Sequence, residues 1–174
     1  MSSEQEMALQ QQIQTDIISI VDFILALDSN IEIILSFYDY PNFVDTINGV
    51  TGIVCNNLLT DLGKPSTALL NNTARDFESI YAQITANNPR VYHVSHFGLM
   101  QNYYGFPPGI QPGDIAFPVG DASLQSPLAA MREIFFGVYD CFHLSPSSYE
   151  VLVENLFQSY FHTRFDTLFK TGFE

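Results

Sequence analysis

Two short, β-branched apolar runs constrain this chain more than anything else in it. Ile31-Glu32-Ile33-Ile34-Leu35-Ser36-Phe37 and Arg90-Val91-Tyr92-His93-Val94-Ser95-His96-Phe97 each follow a stretch with helical periodicity. The first is nearly unbroken, as expected of a strand buried on both faces of a parallel sheet. It stops at Tyr38-Asp39-Tyr40-Pro41, where proline cannot continue a ladder. Upstream, Leu9, Ile13, Ile17, Ile20, Val21, Ile24 and Leu27 recur at three-and-four spacing and predict an amphipathic helix over Glu6–Leu27. A second helix is predicted through Cys55 to Leu62, ended by Gly63-Lys64-Pro65. A third, capped by Ser66 or Thr67, runs to Asn87 with Leu69, Leu70, Phe77, Ile80, Tyr81 and Ile84 on its apolar side. Helix, strand, helix, strand in this order predicts an α/β fold with a parallel sheet, whose chemistry gathers beyond the carboxyl ends of the strands. The loops after Phe37 and Phe97 are therefore the places to look.

The remainder is less regular. Gly98 to Pro127 holds five glycines and five prolines, together with Tyr103, Tyr104, Phe106 and Phe117. A connection of that length without periodicity is often functional. It reads either as a loop offering aromatics to an apolar substrate group or as a surface excursion whose aromatics pack on the core. A last helix is predicted from Ser147 to Phe165, with Tyr149, Leu152, Val153, Leu156, Phe157, Tyr160 and Phe161 as its apolar positions. Neither a repeat nor a linker interrupts the 174 residues, so one domain is expected.

Nineteen acidic and six basic side chains give a net charge of −13, which repels nucleic-acid phosphates and anionic lipid heads and favours an uncharged small-molecule partner. The Gln-rich start lacks the pattern of a secretion signal, and the apolar runs are too short to span a bilayer, so the chain reads as soluble. A compartment does not follow from this; secretion stays open for a longer protein with its own signal. Cys55 and Cys141 are expected to be free thiols with small packing roles, with a single bridge as the alternative. Cys and His show no metal-binding spacing, and no cofactor is implied. His93 and His96 read as ordinary strand-end residues, and His162 as solvated. Asn71-Asn72-Thr73 matches a glycosylation acceptor but falls inside a predicted helix.

Asp140 and His143 stand three apart, before the cap-like Ser145-Pro146-Ser147-Ser148, so both are expected in a turn leading into the last helix. A carboxylate there can bind one imidazole nitrogen, fix the tautomer and leave the other nitrogen to accept a proton from a hydroxyl. On spacing alone, such a pair is more often a local hydrogen bond.

The block Asp140-Cys141-Phe142-His143-Leu144-Ser145-Pro146-Ser147-Ser148-Tyr149, followed by an amphipathic helix, resembles the last conserved block of the SGNH (GDSL-type) hydrolases. Ile31 to Phe43, with Tyr40-Pro41-Asn42-Phe43, looks like the family's penultimate strand and the loop leaving it, and Arg90 to Phe97 like its last strand. The resemblance covers nearly the whole chain, as the C-terminal half to two-thirds of the family's domain. It implies part of a flavodoxin-like three-layer α/β/α sandwich, esterase or lipase activity on a small-molecule ester or lipid, and no metal cofactor. It makes Asp140 the orienting acid and His143 the general base. The family's Gly-Asp-Ser block and the Gly and Asn of its oxyanion hole have no counterpart here. Gly120-Asp121-Ala122-Ser123 has one residue too many and the wrong chain order, which sets Ser123 aside. Cys141 is too close to His143 in sequence to be its nucleophile. The isolated chain is accordingly expected to be inactive or nearly so, with the serine and oxyanion hole supplied by a missing N-terminal segment or a partner chain. The alternative is a truncated, inactive hydrolase-like module kept for binding. A flavodoxin-like nucleotide binder is disfavoured, because no strand leads into a glycine-rich phosphate loop.

Overall fold

The computed structural model describes residues 3–47, 52–162 and 164. Its elements are α1 (Ser3–Leu27), β1 (Ile33–Ser36), α2 (Ile53–Asp61), α3 (Thr67–Asn87), β2 (Val91–Val94), α4 (Leu99–Tyr104), β3 (Met131–Phe135), β4 (Val138–Leu144) and α5 (Pro146–Leu156), which widens into a π-helical turn at Phe157–His162. The chain is a mixed α/β protein, and its contacts group into two compact units. One comprises Met1–Ser36 and Ala74–Val94, the other Phe37–Thr73 and Ser95–Glu174.

In the first unit β1 and β2 pair in parallel, Ile33 opposite Val91 through Ser36 opposite Val94. Val21 and Leu25 of α1, Ile80 and Ile84 of α3 and Val91 of β2 form the buried core, with Ile13, Ile17, Phe77, Ile33 and Leu35 packed against it. Burying each such side chain contributes about 1.5–3 kcal/mol, so packing rather than a two-stranded ladder holds this unit. The inward stripe of α1 is Ile13, Ile17, Val21 and Leu25. Ile20 and Leu27, expected on the buried face, are 59% and 64% exposed. The helix carries apolar residues nearly all round, and its neighbours select the face. Arg90 closes the unit: its guanidinium donates to the carbonyls of Leu25 (3.1 Å), Asp28 (3.0 Å) and Ile31 (3.4 Å). A cation among the last carbonyls of a helix satisfies acceptors that have no partner within the helix.

The second unit is built around buried amides. Gln101 is fully buried; its Nε2 donates to the carbonyls of Asp121, Leu124 and Gln125, and its Oε1 accepts from the Asp121 amide at 2.8 Å. Asn71 Nδ2 donates to the carbonyls of Ala122 (3.1 Å) and Leu124 (2.7 Å), and Asn42 Nδ2 to that of Ser126 (2.8 Å). Three side-chain amides thus replace a ladder for the Gly/Pro-rich stretch. Asn71, the glycosylation candidate, is fully buried in α3. Asp39, just beyond β1, accepts from the amides of Gly98 (2.8 Å) and Met100 (2.7 Å) and so holds the start of α4. Gly98 has φ of +79°, and a Cβ there would lie 2.4 Å from the Gly120 nitrogen, so only glycine fits. The aromatics of this stretch divide: Tyr104 and Phe117 pack against Leu99, Met100, Ala130, Met131 and Leu144, whereas Tyr103 is 52% exposed.

β3 and β4 form an antiparallel hairpin joined by Phe136-Gly137, with Gly137 at φ +75° as a tight two-residue connection requires. Phe135 pairs with Val138, Glu133 with Tyr139, and Met131 with Leu144. Between the last two pairs, Arg132 alone on β3 faces Asp140–His143 on β4. The pair expected in a turn at the mouth of a helix therefore lies in a wide bulge inside a strand. Leu144 re-enters the ladder before Ser145 caps α5 through its Oγ and the Ser148 amide, with Pro146 in the first turn. The last helix begins near the expected position; the end predicted for it at Phe165 lies outside the described residues.

The cysteines require a correction. Cys55 of α2 and Cys141 of the bulge form a disulfide, not two free thiols. Both are buried, in a cluster with Phe43, Ile47, Leu59, Leu70 and Phe142. They are 86 residues apart, and nothing local in sequence signals that the fold brings them together.

Candidate active site

Asp140 builds the bulge with its own side chain. Oδ1 accepts the amides of Phe142 (2.8 Å) and His143 (3.0 Å), an Asx-type turn that folds the backbone back over the carboxylate. That curl brings the His143 ring to its acid, with Nδ1 at 2.7 Å from Oδ2. Arg132, from the facing strand, places Nη2 at 2.7 Å from the same oxygen. The Asp140 side chain is 13% exposed and that of His143 57%, so the acid is sheltered while the ring reaches solvent.

Burial pushes the Asp140 carboxyl upward. The amides of His143 and Phe142, then the His143 ring and Arg132, outweigh it and hold the group at about 2. Asp140 is thus a fixed anion at neutral pH and can only accept hydrogen bonds. Nδ1 of a neutral His143 must then carry the ring proton, which leaves the Nε2 lone pair exposed. The imidazolium formed when Nε2 takes a proton lies against an anion, which stabilises it. An oriented, solvent-accessible base is what this arrangement can supply.

The surroundings keep the pair in place. The Cys141 side chain turns inward to the disulfide, and its carbonyl accepts the Asn42 amide at 2.9 Å. Phe142 packs edge-on against Phe43, with centroids 5.0 Å apart. Tyr38 accepts the Leu144 amide at 3.3 Å and shares a short hydroxyl contact with Tyr149. Burial, and then the Tyr149 hydroxyl, push the Tyr38 phenol well above its ordinary range, so it stays neutral. The loops leaving β1 and β2 carry no acid or base of the site. The loop leaving β1 supports it through the Asn42 amide, which donates to the Cys141 carbonyl.

Other candidates sit elsewhere. The Ser123 hydroxyl donates to Asp121 Oδ1 at 2.6 Å. Among the described residues no serine or threonine hydroxyl bonds to His143, and no three metal-ligating side chains cluster. His93 lies 3.2 Å from Glu78 in the first unit. His96, just beyond β2, is fully buried in the second unit, its Nδ1 3.0 Å from the Asn155 amide. His162 is exposed. No helix among the described residues is long and apolar enough to cross a membrane.

The Asp140–His143 contact that the spacing allows is present; Arg132 and the part played by Asn42 were not anticipated, and the bridge between the cysteines is the alternative rather than the main expectation. The one available signal was a cysteine inside the Asp-x-x-His turn itself. Arg132 could not be seen, because its approach depends on the bulge. No family model, curated protein or solved structure matches this chain.

Proposed function

We propose that the chain carries the acid–base half of a serine ester hydrolase of the SGNH type. His143 is the general base and Asp140 its orienting acid. The observation that supports this reading is the 2.7 Å contact between Asp140 Oδ2 and His143 Nδ1, on a ring whose other edge is exposed. In the reaction, Nε2 removes the proton from a serine hydroxyl as its oxygen attacks the ester carbonyl carbon. The tetrahedral intermediate collapses to an acyl-serine, and the leaving alcohol takes the proton back from Nε2. Water, deprotonated by the same nitrogen, then releases the acid.

The reading assigns the serine and the oxyanion hole to a further segment or to a partner chain. It also takes the β1–β2 sheet with α1 and α3 as part of a flavodoxin-like three-layer sandwich. The substrate is a small ester or lipid without negative charge, in keeping with the net charge of −13. A buried disulfide suits an oxidising compartment.

A second reading is a binding module without catalysis, favoured by the lack of a hydroxyl bonded to His143 among the described residues. One experiment separates the two. The gene product extended upstream, or mixed with its candidate partner, is treated with a fluorophosphonate serine probe and assayed on short-chain esters. Labelling, with hydrolysis abolished by His143→Ala, supports the hydrolase. Absence of both, or hydrolysis indifferent to the substitution, overturns it.

A further inference from the structure

Of the two residues between Asp140 and His143, Cys141 is the more firmly anchored. Cys141 is 3% exposed, covalently bound to Cys55 of α2, and bonded through its carbonyl to the Asn42 amide. Phe142, next to it, packs edge-on against Phe43 in the same apolar cluster, whereas the His143 side chain is 57% exposed and is bonded to Asp140. Arg132 alone faces this bulge from β3, so the four residues have no one-to-one register partners there. The Asx turn is closed by the Asp140 carboxylate, and Cys141 is its covalent tie to the rest of the unit, beside the packing of Phe142 on Phe43. Cys55 is itself 5% exposed and packs with Phe43, Leu59 and Leu70, so the inner anchor rests on a rigid apolar cluster.

We propose that the Cys55–Cys141 disulfide is the positioning element of the Asp140–His143 pair: it fixes the turn to α2 and thereby holds the imidazole in the Nδ1–H form. The catalytic consequence rests on His143 being the base of the ester hydrolase, whereas the tautomer does not. Without the bridge the Asp140 turn opens, Nδ1 loses its acceptor, and the ring samples both tautomers and several rotamers. A misplacement of about 1 Å in a base costs on the order of 10²-fold in turnover.

The test is an NMR measurement on the 174-residue chain with ¹⁵N-labelled histidine, in mildly alkaline buffer where imidazoles are neutral. Wild type is expected to give the ¹⁵N shifts of a single Nδ1–H tautomer at His143. In Cys55→Ser/Cys141→Ser that signature is lost, while His96, buried in the same compact unit with its Nδ1 at the Asn155 amide, keeps its native shifts and reports retained folding. A folded variant that keeps the Nδ1–H signature overturns the proposal. If the serine pair fails to fold, Cys55→Val/Cys141→Ala refills the apolar cluster without the covalent link, and the same criterion applies. Amide exchange in the oxidised wild type decides without any variant: Phe142 and His143 should be protected, and exchange at the rate of unstructured amides overturns the inference. Loss of the tautomer in a protein that never hydrolyses an ester upholds the positioning role and removes the hydrolase reading instead.

Discussion

Asp140 is held by four groups at once: two backbone amides, an imidazole and a guanidinium. Removing its charge while keeping its shape should therefore be more informative than deleting it. Asp140→Asn offers Nδ1 an amide of ambiguous polarity, and on the proposed hydrolase reading the ester turnover should fall on the order of 10³–10⁴-fold in kcat, with KM little changed. A steady-state assay checks this. The same carboxylate links stability to pH. Its value is lowered from 3.8 to about 2, so its stabilising contribution is complete above its unfolded value and is lost as pH falls through the folded one. Melting temperature followed from about pH 5 to about pH 2 should drop more steeply in wild type than in Asp140→Asn. Arg132 is one of the groups that lower Asp140, and a double-mutant cycle of Arg132→Ala with Asp140→Asn would give their coupling directly.

At the scale of elements, the second unit depends on links that are not secondary structure. The Gly/Pro-rich stretch is fastened by Gln101, whose amide serves three carbonyls and one N–H. Gln101→Leu removes the partner of the Gln125 carbonyl and of the Asp121 amide, whereas the Leu124 and Asp121 carbonyls keep Asn71 and the Leu124 amide, a loss of about 2 kcal/mol or more by urea denaturation. The disulfide joins elements 86 residues apart. Its removal should cost about 2–5 kcal/mol, chiefly by freeing the unfolded chain, so the melting temperature should fall on reduction. The first unit gains its order differently, from the stripe of α1 and from Arg90, which draws the carbonyls at the end of α1 and the following turn onto the start of β2.

Over the whole molecule, the excess of acidic groups acts at long range. Nineteen carboxylates against six cations set a negative field around any substrate. On the proposed hydrolase reading, kcat/KM for an anionic ester should rise as salt is added, whereas that for an uncharged ester should stay flat, because screening removes repulsion only where both partners are charged. Equal salt dependence for the two esters would show that the field does not reach the site.

The helices and the two parallel strands were legible because their signals are local. Three-and-four spacing, β-branched runs, and the stops at Pro41, Gly63 and Pro89 each act within a few residues, and the elements start and end close to where those signals lie. The Asp140–His143 pair was legible for the same reason, since three residues of backbone bring the two side chains together once the Asx turn forms. Tertiary structure decided everything that needed a distant partner. It selected which face of α1 is buried, made the expected turn at Asp140–His143 a bulge by setting the β3–β4 register, brought Arg132 to Asp140, and joined Cys141 to Cys55. Spacing cannot encode those outcomes. Each depends on the direction in which a side chain leaves its element, and that is fixed only when the elements pack.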